Sequence, residues 1–218
     1  MLTTLSLTTL ALIFAQSEDL PPEDTPPTPQ EQEQPTIEPA EALDKIKAAI
    51  KSDGEAVILD AIEVCADVKD KKVITEIAKL LKHKSEDIRY AALEALRFNE
   101  HQESLKRLLA FGKNKIFKSD VEYHIEYIYA LGQKADKKAA KLITEDFTVS
   151  SNSSEDLLKA RIYSLGRIRD VDSIEKLLQF SKSSFRGQRR RSSPKITQPV
   201  QTSLAVLTGV ELGNELYA

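Results

Sequence analysis

Tryptophan is absent from the 218 residues, cysteine occurs once, and the single methionine is the first residue. One thiol forms no internal disulfide, so packing alone has to hold the fold. Cys65 falls on an apolar helix face, where a buried, inert thiol is expected. Histidine is scarce: His83, His101 and His124, no two of them at metal-ligand spacing. There is no Gly-x-Ser-x-Gly, no phosphate-cradling glycine loop and no His-Glu-x-x-His. These absences remove the common hydrolase, nucleotide and metalloprotease chemistries. No enzyme activity, catalytic residue, metal or cofactor is expected. The formal net charge of −3 selects no class of partner.

Proline is missing from Glu41 to Ser193. That suits helices, in which an interior proline costs about 3 kcal/mol. Glycine in that stretch is confined to Gly54, Gly112, Gly132, Gly166 and Gly187, each at or near an expected helix end. Residues 18–40 are the opposite. They hold seven of the nine prolines, seven acids and no base. Such a segment buries little apolar surface and is expected to be an extended, disordered linker. Before it, residues 1–17, "MLTTLSLTTLALIFAQS", carry an apolar run (Leu10–Phe14) and a small-x-small site, Ala15-Gln-Ser17. Although no basic residue precedes the run, the stretch reads as a signal peptide for export to the periplasm or medium, with cleavage before Glu18. It is too short and threonine-rich to span a membrane, and no transmembrane anchor is expected after cleavage.

Residues 41–218 form the folded domain. Apolar residues recur there three apart: Leu43/Ile46, Ile62/Cys65, Ile74/Ile77, Leu93/Leu96, Leu105/Leu108, Ile128/Leu131, Ala140/Ile143, Ile162/Leu165, Ile174/Leu177 and Leu204/Leu207. From Ile62 to Ile74, Leu93 to Leu105, Ile128 to Ala140 and Ile162 to Ile174 the step is always 12; the others are 19, 19, 23, 22 and 30. A constant step means one tight turn reused. A variable step means a loop free to lengthen on one edge. Stacked helix pairs behave this way, because each pair leaves an apolar face that only its neighbours cover. Five pairs are predicted, with first (A) helices centred near residues 44, 75, 106, 141 and 175. The second (B) helices centre near residues 63, 94, 129, 163 and 205. Ser85 and Ser154 stand at expected helix starts, and Ser119-x-x-Glu122 reads as a capping box.

The phrases "AALEAL" (91–96), "ALGQKADKKAAKLI" (130–143) and "SLGRIRDVDSIEKLL" (164–178) resemble bacterial HEAT-like repeats of the PBS-lyase type, in which a B helix ends in Leu-Gly and an Asp precedes the next A helix. The ending "LAVLTGVELGNE" is similar to the last repeat of exported bacterial HEAT-repeat proteins. The first pair lacks the Leu-Gly ending and is expected to be a divergent cap. The resemblance implies an all-α, right-handed α-solenoid of about five HEAT-like pairs, with B helices on the concave side. It also implies an interaction scaffold. The lyase activity known in the family would need a pocket that this sequence does not advertise.

Counting from the B-helix centres, the outward positions, two before and one after, read Asp60/Glu63, Ala91/Glu94, Glu126/Tyr129 and Ala160/Tyr163, with Asp87, Glu122 and Asp156 one turn earlier. Exposed tyrosine beside charge is typical of recognition surfaces. The A helices are instead lined by Lys71, Lys72, Lys79, Lys106, Arg107, Lys137, Lys138 and Lys141. The expected site is therefore an acidic B-helix stripe that takes a basic segment of an unidentified protein. The alternative is a polyanion-binding module acting through Lys182, Arg186, Arg189, Arg190, Arg191 and Lys195 in the insertion 182–195, which contains no acid. Anionic lipid, polysaccharide or nucleic acid would be its ligand. Only Phe185 there could stack on a base, so specific nucleic-acid binding is not expected. With no partner present, this basic segment could itself lie on the acidic stripe.

Overall fold

The computed structural model describes residues 37–145, 154–186 and 194–210. All the regular structure among them is helical: α1 (Pro39–Ser52), α2 (Glu55–Cys65), α3 (Lys71–Lys79), α4 (Glu86–Phe98), α5 (Gln102–Phe111), α6 (Val121–Lys134), α7 (Lys137–Thr144), α8 (Glu155–Leu165), α9 (Val171–Arg186) and α10 (Pro194–Thr208). Short 3₁₀ turns follow α3 (Leu80–Lys82) and α5 (Lys115–Lys118). The odd-numbered helices are the A helices and the even-numbered ones the B helices. α2 packs on α4, α4 on α6, α6 on α8 and α8 on α10, while α1 packs on α3, α3 on α5 and α5 on α7. Each element thus touches its pair mate and the adjacent pairs. That is the arrangement of an α-solenoid.

The apolar positions expected between pairs are where the core is. Leu93, Leu96, Ile128, Leu131, Ile162 and Leu165 are all buried. Fully burying one such side chain contributes about 1.5–3 kcal/mol, so the repeat itself supplies the stability that disulfides supply elsewhere. Cys65 is part of this core. Its thiol is fully covered and donates to the Ala42 carbonyl (3.4 Å), and burial pushes its pKa up, which leaves it inert.

Two polar devices recur with the repeat. At the B-to-A turns, the carboxylates of Asp70 and Asp136 accept backbone N–H groups of α3 and α7. At the turn before α5, His101 Nδ1 does the same for Glu103 N–H (3.0 Å). Successive turns are also tied to one another. Asn99, 4% exposed, donates to the Ala66 (2.8 Å) and Val68 (3.0 Å) carbonyls, Lys69 pairs with Glu100 (2.6 Å), Lys134 donates to the Asn99 carbonyl, and Arg167 donates to Gln133. The second device joins the helices of one pair. Tyr127 donates to the Leu108 carbonyl (2.9 Å), and Arg161, one repeat later, donates to the equivalent Ile143 carbonyl (3.3 Å). Each satisfies a carbonyl in the last turn of an A helix that the helix itself leaves open.

Three local expectations are corrected. The capping box at Ser119 is not formed: Asp120 caps α6 by accepting Tyr123 N–H (2.9 Å), and Ser119 donates to Ile116 (3.0 Å). Ser85 and Ser154 do cap α4 and α8. Gly132 does not end its helix; Ala135, with φ 50°, takes the left-handed cap. Gly132 is required by packing, since a Cβ there would lie 2.6 Å from Ser164 Cβ and 2.7 Å from its Cα. The last pair sits one turn away from its expected register. Ser203 donates to Ile162 as Ser164 donates to Ile128, so Leu204 corresponds to Leu165. Finally, Pro199 lies inside α10, where it withholds one helical N–H.

Candidate B-helix interaction face

Four consecutive B helices carry the expected stripe. Asp60 and Glu63 on α2, Asp87 and Glu94 on α4, Glu122 on α6 and Asp156 on α8 are exposed; Glu126 and Tyr129 on α6 are half-buried; Tyr163 on α8 is 38% exposed. Because the B helices pack in series, these positions follow one another along a single surface. One of the two outward positions turns inward along the array: Asp60 is exposed, Ala91 and Glu126 are half-buried, and Ala160 is fully buried. Asp87, Glu122 and Asp156 sit in the first turns of α4, α6 and α8. There they also face the positive end of the helix dipole, which stabilises a carboxylate by a few tenths of a kcal/mol, up to about 1 kcal/mol.

The charges of the stripe are partly answered from within the chain. Lys45 of α1 pairs with Asp60 (2.9 Å), Arg97 of α4 with Glu126 (3.5 Å), and Lys159 of α8 approaches Asp156 (3.7 Å). Glu63, Asp87, Glu94 and Glu122 have no ion pair among the described residues. The tyrosines lie among these carboxylates. Burial holds the Tyr129 phenol above its ordinary pKa, and Glu126, Tyr163 and Asp156 add to the effect, which puts α6 and α8 residues around one ring. Tyr90 belongs to the same surface and was not anticipated. It is half-buried, stacks at a tilt on Tyr123 (5.3 Å), and is raised by burial and then by Asp120, Glu86, Glu122 and Glu126. Its position three residues before Leu93 matches Leu59 and Ile125, which made it look like a plain packing residue. Phe98, 54% exposed under the Arg97 guanidinium, adds an uncovered aromatic at the end of α4.

The A-helix surface is of opposite sign. Lys71, Lys72, Lys79, Lys106, Lys137, Lys138 and Lys141 are exposed and Arg107 is half-buried. Recessed carboxylates answer some of them: Glu76 pairs with Lys79 (2.6 Å), and Glu103, 7% exposed, with Arg107 (2.7 Å). Between α3 and α5 runs an open groove of about 410 Å³, with Lys79, Lys82 and Arg107 beside Leu81 and Phe111.

The basic insertion is only partly described. α9 extends to Arg186, but Arg189, Arg190 and Arg191 and the side chains of Lys182, Arg186 and Lys195 lie outside the described residues, as do residues 1–36. The histidines have local jobs. His83 Nδ1 accepts Ser85 N–H (3.1 Å), His101 caps α5, and His124 stacks on Phe117 (4.6 Å). Among the described residues no group of three or more His, Cys, Asp or Glu could hold a metal ion. No described helix is long and apolar enough to cross a membrane.

The sequence model of one family, HEAT repeats, matches residues 43–115, from α1 to the turn after α5. No curated protein matches the chain.

Proposed function

Because the chain is a HEAT-like repeat protein, a class that commonly serves as a protein-interaction scaffold, we propose that it is a non-enzymatic scaffold whose B-helix face binds a basic segment of a partner protein. The observation that carries this reading is the grouping of Glu126, Tyr129, Asp156 and Tyr163 across α6 and α8, next to the unanswered carboxylates of Glu94 and Glu122. Carboxylates attract a cationic side chain, and tyrosine faces hold it by cation–π contact and by burying its aliphatic stem. The reading extends to location: the apolar run before Ala15-Gln-Ser17 supports export, and a partner met outside the cytoplasm.

The test uses a labelled peptide with the sequence Lys182–Lys195, a cationic segment of this chain, titrated onto the full-length protein by fluorescence anisotropy. Glu94→Lys, Glu122→Lys and Glu126→Lys together should abolish binding and flatten its dependence on salt. Full affinity in that variant, with loss on reversing Lys137, Lys138 and Lys141, moves the site to the A helices and refutes the proposal. A protein that instead retains heparin, and releases it when Arg189, Arg190 and Arg191 become Ala, belongs to the polyanion-binding alternative.

A further inference from the structure

The repeat explains why the A-helix surface opens into a groove between α3 and α5. Four residues after the first apolar residue of its pair, α3 has Ala78, where the other A helices have Lys47, Leu109, Thr144 and Leu178. Alanine is the smallest of the five, and α5 lines the same space with a second alanine, Ala110. In addition, α3 ends at Lys79 and tightens into a 3₁₀ turn. The floor is pinned from the core side. Phe111 packs edge-on against Phe117 (5.2 Å) and Tyr127 (5.9 Å), and Tyr123 donates to the Leu81 carbonyl (3.1 Å). Such a groove is preformed, so a ligand does not have to open it.

The charge around the groove has one sign. Its lining holds Lys79, Lys82 and Arg107 and no acid. Arg107 pairs with the recessed Glu103 (2.7 Å) and donates Nη2 to the Thr75 hydroxyl (2.9 Å), which fixes the guanidinium and leaves Nη1 without a partner among the described residues. Lys82 is exposed, as are Lys113 and Lys115 in the connection that follows Phe111, and none of the three has an ion pair among the described residues. The lining also discriminates among anions. A sulfated polysaccharide or a phosphate backbone has charge but no apolar group for Ala78 and Ala110. A bilayer has both, but Leu81 and Phe111, 1% and 5% exposed, lie too deep to enter it. An acidic peptide brings both along a single chain. From Thr75 to Lys82 is seven residues, about 10 Å of helix, which matches about three residues of extended chain.

We propose that this groove is a second binding site, for an acidic segment of a partner protein. An apolar side chain of the segment lies over Ala78 and Ala110, and the carboxylates on either side of it meet Arg107 and Lys82. The site stands apart from the B-helix face and is opposite to it in charge. With both sites filled, the array joins an acidic segment on one layer to a basic segment on the other.

A labelled synthetic peptide, Glu-Asp-Glu-Phe-Asp-Glu, titrated onto the full-length protein at low salt by fluorescence anisotropy, tests this. Saturable binding is expected, weakened about tenfold when the peptide's Phe is replaced by Gly, which is the worth of one good side-chain contact. Ala110→Trp fills the groove from an exposed position and should weaken binding to a similar degree with helical circular dichroism unchanged. Lys82→Glu with Lys113→Glu should do so through charge alone and flatten the salt dependence. The variant carrying Glu94→Lys, Glu122→Lys and Glu126→Lys should bind this peptide at least as well as the parent. Absence of binding, equal affinity for the Gly peptide, or indifference to both Ala110→Trp and the Lys pair overturns the proposal. Retention on heparin that Ala110→Trp does not change, without peptide binding, assigns the surface to polyanions and overturns it too.

Discussion

Gly132 of α6 lies so close to Ser164 of α8 that the serine's Cα, a backbone atom, is 2.7 Å from where a Cβ would stand. Two effects compete when that Cβ is added. Gly to Ala inside a helix gains about 1 kcal/mol in propensity. Overpacking against backbone costs about 1–3 kcal/mol and also forces two helices apart. The clash is expected to win, so Gly132→Ala should lower the melting temperature by several degrees, and Gly166→Ala, which meets Ser203 in the same way, should match it. An unchanged or higher melting temperature for both would show that the helices do not approach so closely.

Leu131 is fully buried between α6 and its neighbours. Truncation to Ala removes its transfer free energy and leaves a cavity, at a cost on the order of 2–5 kcal/mol. Urea denaturation should show a shifted midpoint at nearly constant slope. Leu178, 36% exposed on α9, is the contrast, and its truncation should cost well under half as much.

Asn99→Ala is expected to cost about 1–3 kcal/mol, since the buried Val68 carbonyl and the half-buried Ala66 carbonyl lose their donor. Amide exchange should quicken first in α2 and α5, the helices that this turn joins across pairs. Exchange that quickens uniformly would contradict a local tie.

Acid should weaken the fold partly through His124. Burial, with help from Arg161, pushes this imidazole down to about 4. An unfolded histidine takes up its proton near pH 6.5, the folded one only near 4, so between those values the unfolded state binds more protons. The contribution is complete above pH 6.5, is lost progressively as pH falls toward 4, and is constant below. With partial exposure allowed for, it amounts to about 1–2 kcal/mol. His124→Phe, stacked on Phe117, should therefore show a flatter melting temperature between pH 7 and 4.5 than the parent. Identical slopes would assign the acid sensitivity to carboxylates alone.

For export, mass spectrometry of protein from its native source should find Glu18 at the N-terminus. An intact Met1 in the cytoplasmic fraction would contradict the reading of residues 1–17.

Much of this architecture was readable from spacing. The step of 12 located every B-to-A turn, and the apolar pairs of α2, α4, α6 and α8 lie in the core, whereas Leu43, Leu105, Ala140 and Ile174 of the A helices are half-buried. The family match at residues 43–115 covers the first pair, whose lack of Leu-Gly made it the least typical in sequence. The last B helix was misplaced because Leu204 and Leu207 are both apolar and both helical; the Ser203–Ile162 bond and the Gly166–Ser203 contact distinguish the two registers. Of the B-face positions read as outward, Asp60, Glu63, Asp87, Glu94, Glu122, Asp156 and Tyr163 are exposed, Ala91, Glu126 and Tyr129 are half-buried, and Ala160 is buried. Tyr90 was missed because its ring packs in the core while its hydroxyl lies among carboxylates of the next helix. A one-letter pattern does not separate the two ends of a side chain.

The B-to-A turns are two to five residues long and stitched together by Asn99, Lys134 and Arg167, while the A-to-B connections run from two residues (Asp53 and Gly54) to the ten of 145–154. Turn length is fixed on the B-to-A edge only, while Lys84 to Asp53 (3.2 Å), Arg89 to Asp120 (3.0 Å) and Tyr123 to the Leu81 carbonyl (3.1 Å) tie successive pairs across the A-to-B edge as well. Whole turns of loop can be gained or lost on the other edge while each pair keeps its angle to the next. Homologues of quite different length should then superpose helix for helix, and a reporter domain inserted at 112–115 should ride on the array without bending it.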